Sequence, residues 1–142
     1  MRDLHHNVRR IRSISPVAIG TTGTGKTGTV VDRAGAQAVE FEFDYGTITA
    51  TNATITPTVL HGDVTGTMTS IADADLIGTE LLAGIAAGTP RTSGSNKNVS
   101  KRLGYKGVKR YVQCKLVSTI TAGPPVAASV LLGYPNNAPL AT

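Results

Sequence analysis

Hydrophobic and polar positions alternate most cleanly between Val39 and Tyr45, where Val39, Phe41, Phe43 and Tyr45 are separated by Glu40, Glu42 and Asp44. A period of two is what a strand with one buried and one solvated face requires. The segment holds both phenylalanines of the chain, so it is expected to seed the core. Gly46 permits a bend, Ile48 opens a second alternating run, and Ile55, Val59 and Leu60 mark a third. The stretch from Ala38 to Leu60 therefore reads as a β-meander.

The same pattern can be followed in both directions. Residues 1–13 read as a basic N-terminal arm, in which Leu4, Val8 and Ile11 allow one or two helical turns. Ile14–Ile19 is a first strand, entered through Ser15-Pro16. Val30–Arg33 is a short strand followed by a turn at Ala34-Gly35, and Pro57 points to an edge or a bulge. A turn is expected at His61-Gly62-Asp63 and a short strand at Met68–Ile71. Asp73–Leu82 is the one plausible helix, with Asp73 as its cap and Gly78 weakening it. Ala83–Ser95 reads as a long mobile loop.

Leu103 and Val108 flank a predicted hairpin turn at Gly104–Gly107. Tyr111–Ser118 is a strong strand, with Val112, Cys114 and Leu116 on one parity. After a turn at Gly123-Pro124-Pro125, the apolar run Val126–Leu132 fits a strand buried on both faces. The chain then ends in an extended tail, Gly133–Pro139 onward. The organisation read from this is an arm at 1–13, one β-domain at 14–134 and a tail at 135–142. The class is all-β: an antiparallel β-sandwich of jelly-roll type with one short helix or helical turn, a partly open barrel being the alternative.

Composition agrees. A chain of 142 residues rich in Gly, Thr and Val, with no Trp and 4% aromatics, suits strands and turns better than a helical bundle. No apolar run approaches the ~20 residues of a membrane-spanning helix, and the polar MRDLHHNVRR lacks the apolar core of a secretory leader. No membrane association and synthesis in the cytoplasm are expected. The net charge is +5 and unevenly spread. Up to Glu80 there are nine acids and six bases; from Leu81 there are eight bases and no acid. Such a chain tends to adhere to something acidic, unless its halves complement each other within the domain or between copies.

Several short patterns bear on chemistry. Gly20–Thr27, GTTGTGKT, matches the P-loop pattern letter by letter. A P-loop must feed a helix whose N-terminus holds phosphate, and Gly28-Thr29-Val30-Val31-Asp32 is a poor first turn. A Gly/Thr loop between strands is the preferred reading. Cys114, the single cysteine, lies in an apolar alternation and reads as a small buried hydrophobe. His5 and His6 have no Cys, Asp or Glu at metal-ligand spacing, and Asp63 has no second acid near it. No catalytic residue, cofactor or metal site is therefore assigned. In Lys97–Arg110, Tyr105 interleaves with bases and Tyr111 follows, so a nucleic-acid surface has to be weighed against a solvated basic hairpin that meets an acidic protein. The second is preferred, because no nucleic-acid module is visible.

Four segments carry a resemblance: ISPVAIGTTGTGKTG, VDRAGAQAVEFEFDYGTITATNATITPTV, SIADADLIGT and KRLGYKGVKRYVQCKLVST. An Asp-x-x-Gly turn (Asp32 to Gly35), a hydrophobic-acidic strand (Val39–Phe43) and a late basic-Tyr-Val strand (Arg110–Val112) recur in them. The chain resembles the capsid decoration or cementing proteins of tailed phages, such as the jelly-roll cementing protein of a Bordetella phage. The resemblance implies a non-enzymatic virion protein that binds the exterior of an icosahedral shell, as a homodimer at two-fold positions, and clamps neighbouring major capsid subunits. The candidate partner-binding residues are Arg9, Arg10, Arg12, Lys97, Lys101, Arg102, Lys106, Lys109 and Arg110. The alternatives are a phage head–tail connector or tail protein and, further off, a basic nucleic-acid-binding module.

Overall fold

The structure, a computed structural model, describes residues 4–19, 25–49, 53–88, 98–119 and 123–136. Two antiparallel sheets face each other. In the first, β1 (Val8–Ala18), β10 (Pro125–Pro135), β4 (Ala36–Tyr45), β8 (Val99–Tyr105) and β7 (Leu76–Ile77) lie side by side in that order. In the second, β2 (Gly25–Thr27) and β3 (Val31–Asp32) pair with successive parts of β9 (Tyr111–Ser118), which pairs with β5 (Ile55–Val64), and β5 with β6 (Thr67–Ser70). The chain changes sheet between β1 and β2, β3 and β4, β4 and β5, β6 and β7, β8 and β9, and β9 and β10. This wrapping of one sheet over the other is a jelly roll. The sandwich expectation holds, and an open barrel is not formed.

The core follows from parity. Val39, Phe41, Phe43 and Tyr45 point inward from β4, while Glu40, Glu42 and Asp44 lie on its outer face. Phe41 and Phe43 are fully buried, and the rings of Phe41, Phe43 and Tyr45 stack in sequence at 6.5 and 6.4 Å. Sheet two contributes Ile55, Val59, Val112, Cys114 and Leu116 to the same cluster. β10 runs between β1 and β4, and its consecutive Ala128, Ser129 and Val130 are all buried, as the continuous apolar run required.

Several local expectations are corrected. The stretch from 38 to 60 is not a meander: β4 and β5 lie in opposite sheets, and Ile48 makes a single bridge position rather than a strand. Gly46 still bonds to Pro125 of β10, and the buried Ile48 and Ala53 then line the crossing to the other sheet. The Gly104–Gly107 hairpin is absent for the same reason, since β8 and β9 belong to different sheets. Of the basic arm expected at 1–13, residues 1–3 lie outside the described residues, Leu4–Asn7 form α1, and from Val8 the chain is strand, paired along β10. Residues 61–63 belong to β5, and the turn falls at Thr65-Gly66. Gly133, Tyr134 and Pro135, expected in the tail, end β10, and residues 137–142 lie outside the described residues. Of the loop expected at 83–95, residues 89–95 likewise lie outside.

The predicted helix at 73–82 is broken into a 3-10 turn (Asp73–Asp75), the short β7 and α2 (Glu80–Ala83). Gly78 sits between the last two at φ +96°, a left-handed conformation that no continuous right-handed helix contains. Thr79, not Asp73, caps α2: its hydroxyl accepts the N–H of Leu82 at 3.2 Å.

Candidate partner-binding surface

On the outer face of sheet one, strand register places oppositely charged side chains in rows. Arg12, Ser129, Glu42 and Arg102 lie in one row; Arg10, Leu131, Glu40 and Gly104 lie in the next. Arg10 does not stay in its own row. It reaches diagonally to Glu42 at 3.3 Å and Asp44 at 3.7 Å, and its Nε donates to Ser129 Oγ at 2.9 Å. Ser129 in turn donates to Glu42 at 3.1 Å. On the other flank of β4, Arg102 pairs with Glu40 at 3.4 Å. The acidic strand thus sits between basic strands from distant parts of the chain. The lopsided charge of the sequence is partly resolved inside one domain. Each exposed pair contributes little alone.

The second basic group gathers where β8 crosses to β9. Arg110 makes a forked contact with Asp32, 2.8 Å at the closest, and Lys109 pairs with Asp63. Hydrogen bonds from Arg110 hold the Asp32 carboxyl below the usual carboxylate range, and Lys109 does the same for Asp63. Arg33 donates to the carbonyls of Gly107, Ala36 and Gln37 and lies 5.5 Å over the Tyr105 ring. Arg33, Gly35, Lys109 and Arg110 line a shallow depression of about 380 Å³. Its cations already hold carboxylates or carbonyls, so it is no ready anion site.

The nine predicted residues therefore separate. Arg10, Arg102, Lys109 and Arg110 hold carboxylates of this same chain. Lys101 projects from the core-facing side of β8, and its Nζ donates to the carbonyls of Leu82 and Gly84 at the end of α2, at 2.9 and 2.7 Å. Lys97 lies outside the described residues. Arg9, Arg12 and Lys106 are exposed and touch no carboxylate among the described residues. Sequence reasoning located the basic strands but not the Arg33 latch. A signal for it was the Asp-x-x-Gly turn, where Asp32 Oδ1 accepts the Ala34 N–H at 2.9 Å and Gly35 takes φ +84°.

The remaining candidates have structural accounts. Gly20–Thr24 lie outside the described residues, but Gly25, Lys26 and Thr27 form β2 on β9, and residues 28–30 are not helical. Gly25 and Gly28 answer to packing. A Cβ on Gly25 would sit 2.6 Å from the Leu116 carbonyl oxygen, and one on Gly28 would sit 2.1 Å from Ser13 Oγ. Cys114 is fully buried, its thiol facing Ser13 Oγ at 3.4 Å, and burial pushes its pKa up to about 11. Tyr105 is buried too, its hydroxyl accepting the Lys109 N–H at 3.1 Å and meeting His61 Nδ1 at 2.9 Å. It cannot stack on a base. Among the described residues, no three His, Cys, Asp or Glu side chains are grouped to hold a metal, and no helix is long and apolar enough to cross a membrane.

No protein-family model matches this chain, and no curated protein matches it in sequence. Solved structures do. The PBSX exported protein XepA superposes over 100% of this chain and 42% of its own, at 12% identity and a TM-score of 0.56. The Gx strain of infectious bursal disease virus gives a match over 92% of this chain and 32% of the viral chain, at 10% identity and a TM-score of 0.52. The VP2 subviral particle of the same virus covers 90% and 32%, at 10% identity and a TM-score of 0.51. The likeness is one of fold. This chain spans 32% to 42% of the length of these proteins.

Proposed function

We propose that this chain is a structural protein of a virus particle: it binds the outer surface of an icosahedral phage capsid, as a homodimer, and cements neighbouring major capsid subunits. The observation that carries this reading is the jelly-roll wrapping that the chain shares, over nine-tenths of its length, with the VP2 subviral particle. The exposed cations Arg9, Arg12 and Lys106 support it as contacts for an acidic protein surface. The chain acts by adhesion rather than by turning over a substrate. Weak contacts repeated across a lattice add up by multivalency, so each copy needs little affinity of its own.

The test is quantitative mass spectrometry of purified particles, followed by a density map. The expected result is a copy number comparable with that of the major capsid protein, and a two-sheet density on the shell exterior. The purified chain should bind assembled shells and leave isolated capsid subunits unbound. A handful of copies at one vertex would indicate a head–tail connector or tail part instead. Absence from particles would overturn the reading altogether.

A further inference from the structure

β1 forms one edge of sheet one, and its two halves are treated differently. At Arg12 and Ser13 the edge is covered: Thr29 donates its N–H to the Ser13 carbonyl at 3.0 Å and its hydroxyl to the Arg12 carbonyl at 3.4 Å. From Val8 to Ile11 no strand pairs with the side away from β10, among the described residues. An open edge is a row of backbone donors and acceptors that matches another extended chain. The side chains along it are Val8, Arg9, Arg10 and Ile11, Arg12 follows at the point where the cover begins, and there is no acid anywhere in β1.

The register adds chemistry. Arg10 and Arg12 share the outer face, and Arg12 lies directly in line with Ser129 and Glu42. Arg10 has taken Glu42 diagonally, so Arg12 is left with no carboxylate among the described residues. Between them Ile11 turns inward and packs against the core. We infer that the open edge of β1 at Val8–Ile11 accepts an extended segment of a partner protein that carries acids at alternate positions. One acid faces Arg12, the next lies beside Arg10, which Glu42 and Asp44 already share, and small β-branched residues between them lie beside Ile11. β4 shows the same hydrophobic-acidic alternation two strands away, where it receives Arg10 from the other side. A second copy of β1 fits poorly, because antiparallel pairing would set arginines against arginines. Single-stranded nucleic acid fits poorly as well, because it offers no row of amides to match the open backbone.

The probe is a short blocked peptide alternating glutamate with valine and threonine, titrated into the full chain while its amides are followed by NMR. Expected is saturable binding in which alternate amides from Val8 to Ile11 shift and become protected from exchange. Arg12→Glu should weaken it about fivefold, the scale of one cross-strand ion pair turned into a like-charge pair. The same peptide with alternate backbone nitrogens methylated should fail to bind, because its charge is intact and its pairing is blocked. No binding at millimolar peptide overturns the inference. So does undiminished binding of the methylated peptide, which would reduce the effect to diffuse charge, or tighter binding of oligothymidylate at the same amides. Concentration-dependent dimerisation that protects the Val8–Ile11 amides without peptide would assign the edge to a second copy and overturn the inference.

Discussion

The carboxylate of Glu80 accepts a hydrogen bond from the backbone N–H of Val59 at 2.6 Å. β6 pairs with β5 only between Leu60 and Val64, so the stretch before it would otherwise present open backbone. Glu80 closes that gap together with Ile71, which donates to the Val59 carbonyl at 3.0 Å, and Ile85, which bridges Ile55. Val59 is fully buried. Glu80→Ala should therefore cost about 1–3 kcal/mol, the penalty of a buried donor left without an acceptor. Glu80→Gln, which keeps an acceptor, should cost less. Urea unfolding checks this, the midpoint falling with an unchanged slope.

The acid side of the stability profile should be set in part by Asp32 and Asp63. Both carboxyls are held below their ordinary value, chiefly by hydrogen bonds from Arg110 and Lys109 respectively. A folded-state value below the unfolded one means the contribution is complete above the unfolded carboxylate value of about 3.9. It is lost as pH falls through the lower, folded value. Tm should therefore decline below about pH 4 as these carboxyls are protonated. Asp32→Asn with Asp63→Asn should lower Tm slightly at pH 7 and make the acid decline shallower. Asn at 32 can still accept the Ala34 N–H, so the turn is kept. Parallel acid limbs in the two proteins would show that these pairs do not matter.

Gly28 and Lys26 offer a comparison between packing and phosphate chemistry. A Cβ at residue 28 would meet the Ser13 hydroxyl, which is itself buried and bonded to the Thr29 carbonyl at 3.2 Å. Gly28→Ala should destabilise the fold by about 1–3 kcal/mol, as overpacking does. Lys26 is exposed on the edge strand β2. Lys26→Ala should leave the thermal midpoint unchanged, and nucleotide should shift the midpoint of neither protein.

Cys114 should be chemically silent while the chain is folded. Its thiol is fully buried and its pKa is pushed up to about 11, so little thiolate exists at pH 8 and none of it is accessible. An aromatic disulfide reagent should react with no thiol in buffer and with one thiol per chain in concentrated guanidinium chloride. Prompt reaction in buffer would place Cys114 at the surface.

What was legible in the sequence was local. The alternation of β4 and β9, the Asp32–Gly35 turn and the buried run of β10 each follow from a period or a turn residue within a few positions. The sheet to which each strand belongs is not local. β4 to β5 and β8 to β9 read as meander and hairpin because both connections carry glycine and turn residues. Whether such a connection folds back or crosses over depends on partners far along the chain. Gly78 was visible as a weakness, but its left-handed backbone, which ends any helix through 73–82, was not. The basic residues were all visible. That Arg10, Arg102, Lys109 and Arg110 would hold acids of the same chain follows only from strand register.

The position of β10 has a temporal consequence. Residues 125–135 fill the space between β1 and β4, which are made much earlier during synthesis. A nascent chain that has reached Gly123 holds both neighbours of this strand with nothing to join them. Sheet one can therefore close only after the ribosome has supplied β10. Folding dominated by such distant pairings is slow, and until it is complete the cell must keep these half-built copies apart.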